Sequence, residues 1–231
     1  MTNVRQLFSN ISGTYDLLNR VLSLGTDKKW RKKGVALLPH GKNVRVLDLA
    51  SGTLDLSLQY TTQGDGEVYA VDFAMPMLLT GRMKVSPTLD RRLHLVCGDC
   101  LNLPFPSEFF DAAMCAWGMR NFSSLATSLK ELKRVLKPAG SLLVLEFFKP
   151  TRPFTKFFSK TYGRYIIPAL GRWLSKNEEA YDYLHNSIQG FYSRKEYEKL
   201  LRQEGFEIIE ARDLTGGISS LILANTNGLS Y

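Results

Sequence analysis

The sequence predicts an α/β fold with a mostly parallel sheet covered by helices on both faces, and three observations carry that prediction. Strand-like and helix-like patterns alternate from Val44 to Glu146, which is the grammar of strand-helix-strand units. The run Val44, Val46, Leu47 and Leu49 is β-branched and apolar throughout, as a strand buried on both faces must be, and the small-residue turn Ala50 to Thr53 follows it directly. Asp72 ends the next strand at close to the ~20-residue spacing from Asp48 at which a carboxylate meets ribose hydroxyls in such folds. Two carboxylates at successive strand ends then face one crevice.

Taken in order, Phe8, Ile11, Tyr15 and Leu18 recur at helical spacing, and Ser23 to Gly25 ends that helix. Asp27 can cap a second helix in which five of the six residues Lys28 to Lys33 are basic. That run is either a solvated face or an anion-facing patch. The opening strand follows, then helix Asp55 to Tyr60, strand Glu67 to Asp72, helix Met75 to Met83, strand Leu93 to Asp99, strand Phe110 to Trp117, helix Leu125 to Leu136 and strand Ser141 to Glu146. Gly64 to Gly66 and Lys137 to Gly140 supply turns. From Lys149 to Glu179 the pattern changes to one aromatic helical stripe, Phe154 to Leu174, which Pro168 must kink. This is either a lid over the sheet or a helix that also touches a membrane interface. Helix Tyr197 to Gln203 and strands Phe206 to Ala211 and Ile218 to Ala224 close the chain, the strands as an edge hairpin. The expected organisation is a single domain over 1–231: N-terminal helices 1–40, a cofactor-binding core 41–148, a helical lid or substrate insertion 149–192, and a C-terminal helix with closing strands 193–231.

Composition bounds the rest. A chain of 231 residues with 44% hydrophobic content can bury one large core. Met1 to Asn10 is polar and no run reaches ~18 uninterrupted apolar residues, so a cytoplasmic, soluble protein is expected, with attachment at the inner face of the cytoplasmic membrane as a further option. Cys97, Cys100 and Cys115 do not make a disulfide framework, and the Cys97/Cys100 pair has no second pair or histidine cluster beside it, so no metal is expected. The formal net charge of +8 points to a polyanionic partner, nucleic acid or anionic headgroups, without choosing between them.

Asp48-x-Ala50-x-Gly52, then Asp72, then Gly98-Asp99 followed by Leu103-Pro104-Phe105 together resemble the class I S-adenosylmethionine-dependent methyltransferases. Further matches narrow the resemblance to the C-methyltransferases of ubiquinone and menaquinone biosynthesis. Tyr15-Asp16 with Asn19, Leu22-Ser23-x-Gly25 and Trp30-Arg31 are similar to that family's N-terminal signature. Gly118-Met119-Arg120-Asn121 is similar to its G-x-R-N segment, and Leu136-Lys137-Pro138 through Leu145-Glu146-Phe147 with Lys149-Pro150 to its second signature. Tyr181-x-Tyr183-Leu184 with Ser187-Ile188 matches a late motif, so the similarity runs from about Phe8 to Ala224.

The resemblance implies a Rossmann-like, seven-stranded sheet and S-adenosylmethionine as cofactor. It implies that Gly52 and Thr53 approach the methionine end, that Asp72 binds the ribose hydroxyls, and that Asp99 with Cys100 contacts adenine. It further implies a polyprenylated hydroquinone as substrate, with Arg120 and Asn121 as catalytic residues. Arg120 is a poor base but can stabilise a developing phenolate; Asp16, Tyr15 and His185 remain candidates for the proton acceptor. A transient contact with an anionic membrane surface gives the aromatic stripe and the basic surplus a shared purpose, and a homodimer stays open. Nucleic acid is not expected as partner, because Ala116-Trp117-Gly118-Met119 stands where amino methylation of bases uses an Asn/Asp-Pro-Pro-aromatic tetrad. A cofactor-binding scaffold without turnover is the other rival.

The chain departs from the family pattern at four places, having Leu54 and Ala139 for glycines, Ala116 for serine and His185 for proline. Leu54 is expected inside the first helical turn, where no positive φ is needed, so its cost is expected to be steric crowding and weaker cofactor affinity. Ala116 removes one hydroxyl contact.

Overall fold

The computed structural model describes residues 6, 9, 13, 15–23, 25–151 and 178–227. Its elements run α1 (Tyr15–Leu22), α2 (Asp27–Val35), β1 (Arg45–Leu49), α3 (Asp55–Thr61), β2 (Glu67–Asp72), α4 (Met75–Arg82), α5 (Pro87–Asp90), β3 (Leu93–Cys97), β4 (Phe110–Ala116), α6 (Leu125–Val135), β5 (Leu136–Glu146), α7 (Glu178–Gly190), α8 (Arg194–Gln203), β6 (Phe206–Leu214) and β7 (Ser219–Thr226). The seven strands form one sheet in the order β3-β2-β1-β4-β5-β7-β6. β1 to β5 pair in parallel, and β7 enters antiparallel between β5 and β6. The expected edge hairpin is therefore β6–β7, with β6 outermost.

Strand alternation divides the core into two apolar layers, one on each face of the sheet. Leu47, Leu49, Leu142 and Val144 face one layer, completed by Leu129 and Leu132 of α6 and Tyr197 and Leu201 of α8. Val46, Leu143 and Leu145 face the other, completed by Trp30 and Val35 of α2, Leu56 and Tyr60 of α3, and Leu78 of α4. This two-sided burial is why the strands read as continuous apolar runs in the sequence. Order reverses between β1 and β4, so the crevice at their carboxyl ends is the place where such a sheet receives a ligand.

Several boundaries differ from expectation for local reasons. β3 stops at Cys97 because Asp99 and Asn102 form an isolated bridge outside it. β4 stops at Ala116 because Trp117 turns into the left-handed region, φ 57°. α8 starts at Arg194 because Ser193 and Glu196 form a reciprocal capping box. Asp27 does not cap α2; Thr26 holds that position, and the Asp27 carboxylate accepts from Arg31 Nη1 at 2.5 Å instead. Lys28, Lys29, Lys32 and Lys33 are exposed, whereas Arg31 turns inward and is buried. The expected turn 137–140 is an excursion within β5, between the pairs Phe110 with Leu136 and Ala112 with Ser141. The aromatic stripe Phe154 to Leu174 lies outside the described residues, as do Phe8 and Ile11 and the side chain of Leu18.

Leu54 corrects an expectation. It is not inside the helix but caps α3 in the left-handed conformation, φ 67°. The family glycine it replaces would take that conformation freely, whereas leucine pays about 1–2 kcal/mol. Full burial outweighs this: Leu54 is completely inaccessible, and full burial of a leucine side chain is worth about 1.5–3 kcal/mol. Room is made by Gly81 on α4, where a Cβ would lie 2.5 Å from Leu54 Cγ. Ala139 also replaces a family glycine at φ 59°, but it is exposed and has no such compensation. Denaturant unfolding should separate the two. Ala139→Gly is expected to add about 0.5–1 kcal/mol, whereas Leu54→Gly, which relieves the same strain, should cost about 2 kcal/mol or more through the lost burial and the cavity it leaves. Stability changes of the same sign would contradict this account of the two positions.

Candidate active site

A cavity of about 580 Å³ opens at the carboxyl ends of β1, β2 and β4. That is within the usual size range for a small-molecule site. Ala50 and Gly52 contribute from the turn after β1, Asp72 and Phe73 from the end of β2, Gly98 to Leu101 from the segment after β3, and Ala116 to Gly118 with Asn121 to Ser123 from the segment after β4. Met77 of α4 and Tyr15 of α1 complete it, so the N-terminal helix reaches across to the glycine turn.

The turn fixes the carboxylate at the cavity's centre. Gly52 N donates to Asp72 Oδ2 at 2.8 Å and Ala74 N donates to Asp72 Oδ1 at 2.8 Å. Each oxygen keeps a lone pair for a further donor. Burial pushes the Asp72 carboxyl up from its ordinary value, and the backbone amides of Ala74, Gly52 and Phe73 partly offset this. Asp48, deeper under the turn, accepts from Ser57 Oγ at 2.5 Å, and burial pushes it up to about 7. Asp99 is exposed at the cavity rim and its Oδ1 caps Leu101 N at 2.9 Å. Cys100 is buried, which pushes its thiol up to about 12, and burial drives Cys115 up as well. Neither is a thiolate near neutral pH, so neither is an activated nucleophile.

Three residues without a glycine's freedom take positive φ around this cavity: Ala50 at 49°, Leu54 at 67° and Trp117 at 57°. Trp117 is held by its backbone N–H to Leu145 O at 2.7 Å, by stacking on Phe147 at 5.5 Å and by its indole N–H to Ser219 Oγ. Packing of this kind is what lets strained backbone persist at a site. Trp30 leans on the same pair of rings, and the Arg31 guanidinium lies 4.8 Å from the centre of the Trp117 ring.

α1 is tied down by charge. Thr53 Oγ1 donates to Asp16 Oδ1, and Lys84 Nζ bridges Asp16 Oδ2 and Asp55 Oδ1, each at 2.6 Å. Asp16, a candidate proton acceptor on sequence grounds, therefore has both oxygens engaged. Tyr15 is half-buried, and loss of solvent raises its phenol.

Among the expected site residues, Gly52, Asp72, Asp99, Cys100 and Asn121 line the one cavity. Thr53 lines a small annex beside it. Arg120 lines neither. It sits in a single 3₁₀ turn, Met119–Asn121, and donates from Nη1 to Trp117 O at 2.6 Å and to Glu146 Oε1 at 2.7 Å, and from Nε to Ser187 Oγ at 3.3 Å. Glu146 is wholly inaccessible, and burial raises its carboxyl while Arg120 offsets part of the rise. Asn121 Oδ1 accepts from Tyr183 OH at 2.9 Å, which leaves its amide N–H donors for the cavity. Trp117, Ser51 and Lys84 carry parts of the site that the sequence reading did not single out. No spacing rule marks any of them: Trp117 and Ser51 lie in turns, and Lys84 acts only through contacts made by the fold.

Two aspartates, Asp72 held at the turn and Asp99 on the rim after β3, suit a nucleoside bearing a second polar end. Among the described residues no group of three or more His, Cys, Asp or Glu could hold a metal ion, and no helix is long and apolar enough to cross a membrane.

Several known proteins resemble this chain over most of its length. A protein from Syntrophotalea carbinolica named ubiquinone/menaquinone biosynthesis C-methyltransferase UbiE is 40% identical over 220 residues, covering 95% of this chain and 92% of that one. A demethylmenaquinone methyltransferase from Staphylococcus saprophyticus is 36% identical over 222 residues, covering 95% and 94%. Among solved structures, the putative methyltransferase complex of Haloferax volcanii with its Trm112 activator superimposes with a TM-score of 0.71 at 15% identity, covering 95% of this chain and 97% of that one. The geranyl diphosphate C-methyltransferase of Streptomyces coelicolor does so at 0.65 and 15%, covering 86% and 79%. At such identities the structures establish the fold alone, that of the class I methyltransferases. The model of the ubiE/COQ5 methyltransferase family matches residues 1–225, and the chain belongs to that family.

Proposed function

We propose that this chain methylates a ring carbon of a reduced polyprenyl quinone precursor, demethylmenaquinol to menaquinol, with S-adenosylmethionine as donor. A ubiquinone-pathway benzoquinol is the alternative ring. The observation that carries the reading is the cavity at the β1/β4 reversal, where the paired amides of Gly52 and Ala74 aim Asp72 inward and Asn121, at the end of the Met119–Asn121 turn, lines the same space. The names of the curated relatives supply the substrate class.

When bound, the donor supplies a methyl group on a sulfonium. The chain's part is positioning, exclusion of water and charge. Asp72 accepts from the ribose diol and Asp99 accepts from the adenine amine. Asn121, its oxygen held by Tyr183, donates from its amide to a ring oxygen. A hydroquinol carbon is nucleophilic only as its neighbouring phenol ionises, with an ordinary pKa near tyrosine's ~10. The phenol proton leaves first and places negative charge on that oxygen; as carbon would bond to the methyl and the sulfur–carbon bond break, the charge passes into the ring, and loss of the ring proton afterwards restores the aromatic hydroquinol. Arg120 stabilises the charge: its bonds to Trp117, Glu146 and Ser187 use Nε and Nη1, and Nη2 has no partner among the described residues. Incubation with labelled donor and dithionite-reduced demethylmenaquinone or the benzoquinol analogue tests the reading. Label on the naphthoquinol ring is expected; label on neither ring would overturn it.

The substrate's tail places the protein at a lipid surface. The four exposed lysines of α2 supply attraction of about 1 kcal/mol per lysine near an anionic headgroup layer. Flotation with anionic liposomes is expected at low salt and should be lost at high salt. No flotation at low salt would contradict it.

A further inference from the structure

Helix α1 lies outside the sheet and yet forms a wall of the site. Tyr15 lines both the main cavity and the annex, and Met77 of α4 lines the main cavity from another side. A Cβ on Gly52 would lie 3.9 Å from Tyr15 Cε1 and 3.3 Å from Met77 Cε, so α1 and α4 meet over the glycine turn. Where α1 stands relative to α4 therefore sets how closed the cavity is.

Lys84 ties the two helices together. It follows the end of α4 by two residues and places Nζ 2.6 Å from Asp16 Oδ2 on α1 and 2.6 Å from Asp55 Oδ1 in the first turn of α3. The other oxygen of Asp16 accepts from Thr53 Oγ1, and the other oxygen of Asp55 faces Arg31 Nη2 at 3.4 Å. An exposed ion pair alone is worth little. This group differs in two ways. The side chains of Lys84, Asp16 and Asp55 are 30%, 29% and 25% exposed, so water screens them less than it would on an open surface. Carboxylate oxygens that share one nitrogen at 2.6 Å also lie within about 5 Å of each other, so removing the ammonium leaves Asp16 and Asp55 repelling. That repulsion pushes α1 away from the turn it covers.

We propose that Lys84 is a positioning residue that clasps α1 over the bound methyl donor and so sets how slowly donor and product leave. This rests on the reading of the main cavity as the donor site. Lys84 lines neither the cavity nor the annex, so it acts only through Asp16 and the wall that carries Tyr15. Release then waits on opening of the clasp, as lid opening limits product release in many enzymes.

Surface plasmon resonance with S-adenosylhomocysteine reads the dissociation rate directly. This probe has no net charge near neutral pH, so salt acts chiefly on the protein. Dissociation from wild type should quicken as salt rises, because screening weakens the clasp. Lys84→Met keeps an unbranched side chain without the charge and should release the probe about ten-fold faster at low salt. Its rate should then slow as salt rises, because salt now screens the repulsion between Asp16 and Asp55. Lys84→Arg restores the cation and should return both the slow release and the wild-type salt response. A side chain with a structural role alone would lower the unfolding midpoint of Lys84→Met and leave the salt response unchanged in sign. Release from Lys84→Met at the wild-type rate, or with the wild-type salt response, would overturn the clasp while leaving the donor site standing. Wild type that binds no S-adenosylhomocysteine would overturn the donor site, and the clasp with it.

Discussion

Asp72→Ala should lower the affinity for S-adenosylhomocysteine by about two to four orders of magnitude and abolish methyl transfer. Two hydrogen bonds to a charged acceptor are lost, at about 1.5–3 kcal/mol each. The fold should survive, because Asp72 stands at the end of β2 and its removal frees the N–H groups of Gly52 and Ala74 to bond water once the side chain is gone. Asp72→Asn is the sharper variant. It retains the shape, but its amide nitrogen must face one of the two N–H donors, so the turn itself should be disturbed. Calorimetry on both variants reads the effect, and full affinity in Asp72→Ala would remove the cofactor assignment.

The second large effect concerns the Arg120–Glu146 pair. Both side chains are buried, 6% and 0% exposed, and removing one partner leaves the other as an uncompensated buried charge, a loss of about 3–5 kcal/mol. Arg120→Ala should therefore unfold at markedly lower denaturant. Arg120→Lys keeps the charge opposite Glu146 but gives up the planar fork that reaches Trp117, Glu146 and Ser187 at once. Its stability should stay near wild type and its cofactor affinity should not change. Its kcat should fall by about 10²–10³, as when one donor to an oxyanion is lost, because less of the substrate is then held as phenolate. Unaltered kcat in Arg120→Lys would show that Arg120 serves only to neutralise Glu146.

The sheet was legible because its strands are buried on both sides, which forces continuous apolar runs, and because the turns between them carry glycine or proline. The strand-end carboxylates could be read for the same reason: position in a parallel sheet fixes where Asp72 and Asp99 must stand. Legibility failed where tertiary contacts override local pattern. Leu54 reads as a helix residue because leucine favours helix, yet packing under Gly81 holds it left-handed outside one. Arg31 reads as one more base in a basic run, yet it turns away from its neighbouring lysines into a cage of Asp27, Asp55 and Trp117. Arg120 was identified as a site residue, but nothing in its motif shows that Glu146, 26 positions later, holds it.

The most direct measurement of the central claim is a crystal structure of the protein with S-adenosylhomocysteine. The account predicts the ribose hydroxyls on Asp72, adenine beside Asp99 and Cys100, the methionine end beside Gly52 and Thr53, and the sulfur facing the turn that carries Arg120 and Asn121. A ligand seated outside this cavity, or reversed within it, would contradict it.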